Sequence, residues 1–190
     1  MSTTVWMAIG VAVVVVFWAA AVHNRLRQLR NRVDNAFAQI DVQLKRRHDL
    51  IPNLVEVARG YMAHESSTLE AVARARGQAA QAAAHARRHP GQAAAMASLA
   101  GAEAALGSSL GQLMVLTESY PDLKADAQMQ SLSEEITSTE NRLGFARQAY
   151  NDEILAYNDH ASQIPDLLIA RLIGFAALDM LQATETAQER

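Results

Sequence analysis

Val5 to Val22 reads Val-Trp-Met-Ala-Ile-Gly-Val-Ala-Val-Val-Val-Val-Phe-Trp-Ala-Ala-Ala-Val, with no charged or strongly polar side chain. At about 1.5 Å of rise per residue, these roughly 18 residues make a helix long enough to cross the hydrocarbon core of a bilayer. Lipid offers a backbone amide no partner except another backbone group, so the segment is expected to be helical despite its valines. Trp6 and Trp18 lie near its ends, where amphipathic rings prefer the interface. A cleaved signal peptide competes with this reading, since Ala19-Ala20-Ala21 could serve as its cleavage site. Only the α-amino group is cationic ahead of Val5, however, and the apolar run is long for a signal. A buried core helix also competes, but the stretch is apolar all round and charge comes directly after it. The expectation is an uncleaved anchor over residues 1–23, made by Val5, Trp6, Ile9, Val13, Val16, Phe17, Trp18 and Val22. Without a cysteine there can be no lipoprotein anchor.

Arg25, Arg27, Arg30 and Arg32 crowd the far end of this stretch, and no basic side chain precedes it. The positive-inside rule then keeps the C-terminal body in the cytoplasm and the N-terminus outside, in a single pass. The same arginines form a collar suited to anionic lipid, or else an ordinary solvated helix face.

Beyond the anchor, the hydrophobic period is that of a helix. Val33, Phe37, Ile40, Leu44, Ile51, Leu54 and Ala58 recur at alternating four- and three-residue steps, with Arg47 in the one vacant slot; Tyr61, Glu65, Leu69 and Val72 continue the pattern. Pro52 falls inside it and predicts a kink or short break around 48–51, or a second helix capped by Asp49. Arg87-Arg88-His89-Pro90-Gly91 marks a hairpin tip, with one helix ending near His85 and the next starting near Gln92. Leu99, Leu106, Leu110, Leu113 and Thr117 carry a seam to a second break at 119–122. A third seam, Leu132, Ile136, Thr139, Leu143, Ala146, Tyr150, Ile154, Tyr157 and Ala161, ends near Pro165. Half of the 190 residues are hydrophobic but only 5% are aromatic; the excess is alanine, which lets helices approach closely. The expected fold is all-α: a single N-terminal transmembrane helix, then an antiparallel bundle of three to four long helices over 24–164. An apolar segment and polar tail occupy 165–190.

The net charge of −3 hides an uneven distribution, with most Lys and Arg before Pro90 and most Asp and Glu after Leu116. No Glu has His three residues later, as di-iron bundles require, and His64-Glu65 lacks the second His of a zinc-protease helix. His85 and His89 stand four apart with arginines between them and proline after, which reads as a solvated loop rather than a metal site. With no cysteine nucleophile, phosphate-cradling glycine loop or nucleophile elbow, the expectation is no catalytic, metal or cofactor residue and no enzyme. Lys45-Arg46-Arg47 could add to a nucleic-acid surface, but without interleaved aromatics a tethered chain is expected to meet lipid headgroups instead.

Val33 to Val55, with Asn35, Asp41, Arg47, Asp49, Pro52 and Asn53, closely resembles the signature of the LemA family. Tyr61 with Glu65, Tyr120-Pro121-Asp122-Leu123, Glu140-Asn141-Arg142, Tyr150-Asn151 and Tyr157-Asn158 occur in the family's order; Phe37 departs from the tryptophan common there. The resemblance implies a bacterial membrane-anchored helical bundle, and members linked to magnetosome membrane formation point towards membrane organisation. Arg47 in a seam must be paired, by Glu140 or Glu65, or must snorkel out to solvent. Asp41, Asn53, Asn141 and Asn151 are helix-to-helix hydrogen bonders or polar surface. Leu167 to Leu178 is strongly apolar yet interrupted by Arg171. It is expected to contact another copy through Leu168, Ile169, Leu172 and Phe175 and so to drive homo-oligomer formation; folding back on its own bundle or lying on a membrane surface are the alternatives. The function expected is a non-enzymatic membrane scaffold that forms homo-oligomers and meets lipid and other membrane proteins, with no nucleic acid. The alternative is an adaptor for a membrane protease or signalling kinase.

Overall fold

Helix α1 (Thr3–Tyr61) runs for 59 residues without interruption in the computed structural model, which describes residues 3–181. Its first part stands clear of the rest of the chain: Val11, Val14, Val16 and Phe17 are all exposed. Burial begins with Trp18, half-covered, and is complete at Val22 and Leu26; Val22, expected in the anchor, therefore lies in the protein core. From there Leu29, Val33, Phe37, Ile40, Leu44, Arg47, Ile51, Leu54 and Ala58 face inward.

Pro52 does not break α1. Its ring sits on the exposed side, and the carbonyl that its missing N–H leaves unpaired, that of His48, accepts a hydrogen bond from Arg76 Nε at 3.0 Å. The break comes instead at Met62–Glu65, where the chain reverses into α2 (Ser66–Arg88). The seam expected to run on through Glu65 and Leu69 thus belongs to two helices. Spacing across the turn happens to keep the period, and no proline or glycine pair marks the place.

Helix α3 (Ala93–Thr117) comes after the predicted tip, and the short α4 (Pro121–Ala125) fills the second break. α5 (Ala127–Ser162) is capped by Asp126, whose carboxylate accepts from the backbone N–H of Gln128 and Met129, both at 2.9 Å. The body thus has four long helices, the upper number of the three to four expected. Tyr61 meets Asp126, Arg46 meets Glu135 and Phe37 meets Tyr150, so numbers rising along α1 meet numbers falling along α5. α2 packs on α1 and α3; its inward face is mostly alanine, Ala75, Ala79, Ala82, Ala83 and Ala86.

The core is two clusters. One holds Leu26, Val33, Phe37, Ile40, Leu44, Met96, Leu99, Leu143, Tyr150 and Tyr157, at the end where α1 enters, here called the foot. The other holds Ile51, Leu54, Met62, Leu69, Leu106, Leu110, Leu113, Leu123 and Leu132. Between Leu44 and Ile51, and between Leu99 and Leu106, the side chains that point inward are charged or polar.

The C-terminal segment folds back on its own bundle. α6 (Asp166–Ile173) buries Ala170, and Gly174, at φ +83°, ends it. Residues 174–181, here called the strap, then run over the foot. Gly91, at φ +78°, accepts from the Asp179 N–H at 3.0 Å; a Cβ there would come within 2.9 Å of Leu178, so only glycine allows this approach.

Candidate functional site: a buried charge layer and a strapped foot

Arg47, expected either to be paired or to snorkel, is buried and paired. Its Nη1 lies 3.0 Å from Glu103 Oε2 and 2.7 Å from Glu140 Oε2. Glu103 Oε1 holds His48 Nε2 at 2.8 Å, and both of those side chains are almost wholly buried. α1, α3 and α5 are joined across one layer. Glu65, the other partner considered, is elsewhere: it accepts from the Tyr120 hydroxyl at 3.4 Å. Glu103 and His48 were missed, although for Glu103 a signal existed. Glu103 is the vacant step between Leu99 and Leu106, as Arg47 is between Leu44 and Ile51, and no other acidic residue stands between Glu70 and Glu118.

The strap gives three motif residues a task. Asn158 donates to Leu178 O at 2.8 Å and accepts from Leu178 N–H at 2.9 Å. Asn151 makes the same pair with Leu181, at 3.1 and 2.9 Å. The carboxamide presents one donor and one acceptor in one plane, as a neighbouring strand would, so each Asn fixes one strap residue in register. Tyr157 donates to Ala176 O at 3.0 Å, and burial raises its pKa. Tyr150 packs edge-on to Phe37 and points its hydroxyl at Met96 Sδ, 3.5 Å away; burial pushes its pKa up to about 12.

The arginine collar is not uniform. Arg30 donates to Pro90 O at 3.0 Å and pairs with Asp34 at 3.4 Å, which ties α1 to the hairpin tip. Arg25 bonds Gln28, and Arg27 and Arg32 are exposed. A cleft of about 710 Å³ opens at the foot between Arg27 and Arg30, the start of α3 at Ala93 and Ala94, and Phe175 of the strap. Lys45-Arg46-Arg47 is no single basic patch, since Arg47 is buried and Arg46 pairs with Glu135. Asp41 accepts from Arg87 at 2.8 Å, whereas Asn35, Asp49, Asn53, Pro121, Asn141 and Arg142 are exposed. Ile169 and Phe175 pack against the foot, and Phe175 meets the His23 ring edge-on at 5.7 Å; Leu168 and Leu172 face outward. The His85 and His89 rings lie 4.7 Å apart, and among the described residues no group of three His, Asp or Glu side chains could hold a metal.

The LemA family model matches residues 36–190. Magnetosome proteins MamQ 1 and MamQ 2 of Paramagnetospirillum magneticum are each 24% identical over 193 residues, covering 93% of this chain and 71% of theirs. Magnetosome protein MamQ of Magnetospirillum gryphiswaldense is 22% identical over 157 residues, covering 75% of this chain and 58% of its own.

Proposed function

From the premise that this chain belongs to the LemA family, we propose that it is a membrane-anchored, non-enzymatic scaffold. Its helical bundle self-associates at the cytoplasmic face of a bacterial inner membrane and organises that membrane or other proteins in it. The observation that carries this reading is the course of α1: one unbroken helix is uncovered and apolar over Val5–Phe17, then becomes the central member of a packed bundle. At about 1.5–3 kcal/mol for each large apolar side chain left in water, the uncovered stretch needs a cover that the described residues do not supply. Lipid meets that need, and the four arginines beyond it favour a cytoplasmic body. The magnetosome relatives support a role in membrane organisation, and the polar layer supports a rigid body rather than a catalytic one.

Self-association rests on confinement: anchors hold copies in one plane and raise their effective concentration, so a weak contact suffices. In intact cells, protease added outside is expected to spare the body after Arg25; cleavage there would overturn the orientation. The detergent-solubilised full chain is expected to have the mass of a homo-oligomer. A monomer that recovers one stoichiometric partner in a pull-down would replace the scaffold with an adaptor.

A further inference from the structure

The most exposed apolar surface outside the first part of α1 lies at the foot. Ile164, Leu168 and Leu172 recur every four residues and are 82%, 66% and 83% exposed, while Ala170 and Ile169 on the other side of α6 pack into the foot cluster. Three apolar side chains in a row, one just ahead of an eight-residue helix and two on it, are an apolar surface that calls for a cover.

The register along α1 decides what covers them. Phe37 meets Tyr150; twelve residues further along α5 is Ser162, its end, and twelve residues back along α1 is Arg25. Beyond Ser162 the chain reaches further out before Phe175 returns to the level of His23. Ile169 and Ala170 share one cluster with Trp18 and Val22. α6 therefore sits beside residues 18–23 of α1, where the uncovered apolar stretch ends. Arg171 on α6 and Arg25 and Arg27 on α1 are exposed, while Asp166 is paired with His160 at 3.4 Å.

We infer that α6 is a second membrane contact: Ile164, Leu168 and Leu172 enter the boundary between headgroups and acyl chains beside the span, and Arg171 lies over the phosphates. Its continuity with the apolar surface of α1 and the cations around it make bilayer lipid the occupant. The inference rests on α1 being a span, and the experiment separates the two. Because the chain has no cysteine, Leu168→Cys, Leu172→Cys, Val13→Cys and Val115→Cys each give one label site. Val115 is exposed near the far end of the bundle. Each full-length variant is labelled with an environment-sensitive fluorophore and reconstituted in phosphatidylcholine–phosphatidylglycerol vesicles, with or without bromine on the acyl chains. The expected result is blue-shifted emission, and loss of intensity in brominated vesicles, at positions 13, 168 and 172 but not at 115. If position 13 is quenched while 168 and 172 behave as 115 does, α6 is not in the bilayer and the anchor stands. If 13 is also unquenched, both readings fall. Self-quenching at 168 that survives dilution with lipid would show a second copy on the stripe and overturn the inference.

Discussion

Arg47, His48 and Glu103 are charged or polar groups taken out of water, so their worth is judged by what happens when one is removed. A buried ion pair adds little net stability over apolar side chains of the same volume, but a buried charge left alone is costly. Glu103→Ala is expected to lower unfolding stability by about 3–5 kcal/mol in a denaturant titration of the detergent-solubilised chain. Replacing the set together, Arg47→Met, His48→Leu and Glu103→Leu, is expected to recover most of that loss. The tyrosines set the alkaline limit. Burial favours the neutral Tyr150 phenol, so the fold holds its pKa, about 12, above the ordinary 10.0. Its contribution is complete below pH 10 and is lost as pH rises towards 12, more steeply than in Tyr150→Phe. At the acid side, Asp126 is held below its ordinary 3.8, first by the Met129 N–H it caps, and its hydrogen bond in turn raises the Tyr61 pKa. That stabilisation is present above 3.8 and lost as pH falls below it; Asp126→Asn should keep the cap and flatten the acid limb of the melting-temperature profile. Arg47 could be read as a seam residue needing a partner because a gap in a heptad is visible in one helix. Glu103 could be found only by matching two gaps across two helices, and His48, beside the seam rather than in it, gave no sign.

At the scale of elements, hydrophobic period placed the seams of α3 and α5 and the tip at Pro90-Gly91, because each depends on local spacing or on the backbone limits of two residues. The reversal at Met62–Glu65 was hidden since packing, not turn chemistry, ends α1 there. Pro52 misled in the opposite sense: the cost of a proline within a helix is an unpaired carbonyl, and Arg76, 28 positions from that carbonyl, removes it. This gives a double-mutant cycle. Arg76→Leu is expected to cost roughly 1–3 kcal/mol with Pro52 present, since it strands the His48 carbonyl. In a Pro52→Ala background, where residue 52 regains its N–H, the same change should cost clearly less, as read from denaturation midpoints. Asn151 and Asn158 were seen as polar positions on α5, but nothing in the sequence says that their partners are backbone groups of a segment 30 and 20 residues later.

For the whole molecule, the course of α1 has a mechanical outcome. There is no joint between the uncovered apolar stretch and the bundle, so the body cannot swing independently of the stretch proposed to meet lipid. From Val22 to Tyr61 the helix extends about 58 Å. A short span in a thin bilayer stands upright and in a thick one draws the membrane in, while a long one leans, with tilts of roughly 0–40°. Each 10° of lean carries the Tyr61 end sideways by about 10 Å. On the proposed topology, bilayer thickness is thereby written as the position of the far tip, and copies whose tips point together in one membrane splay apart in another.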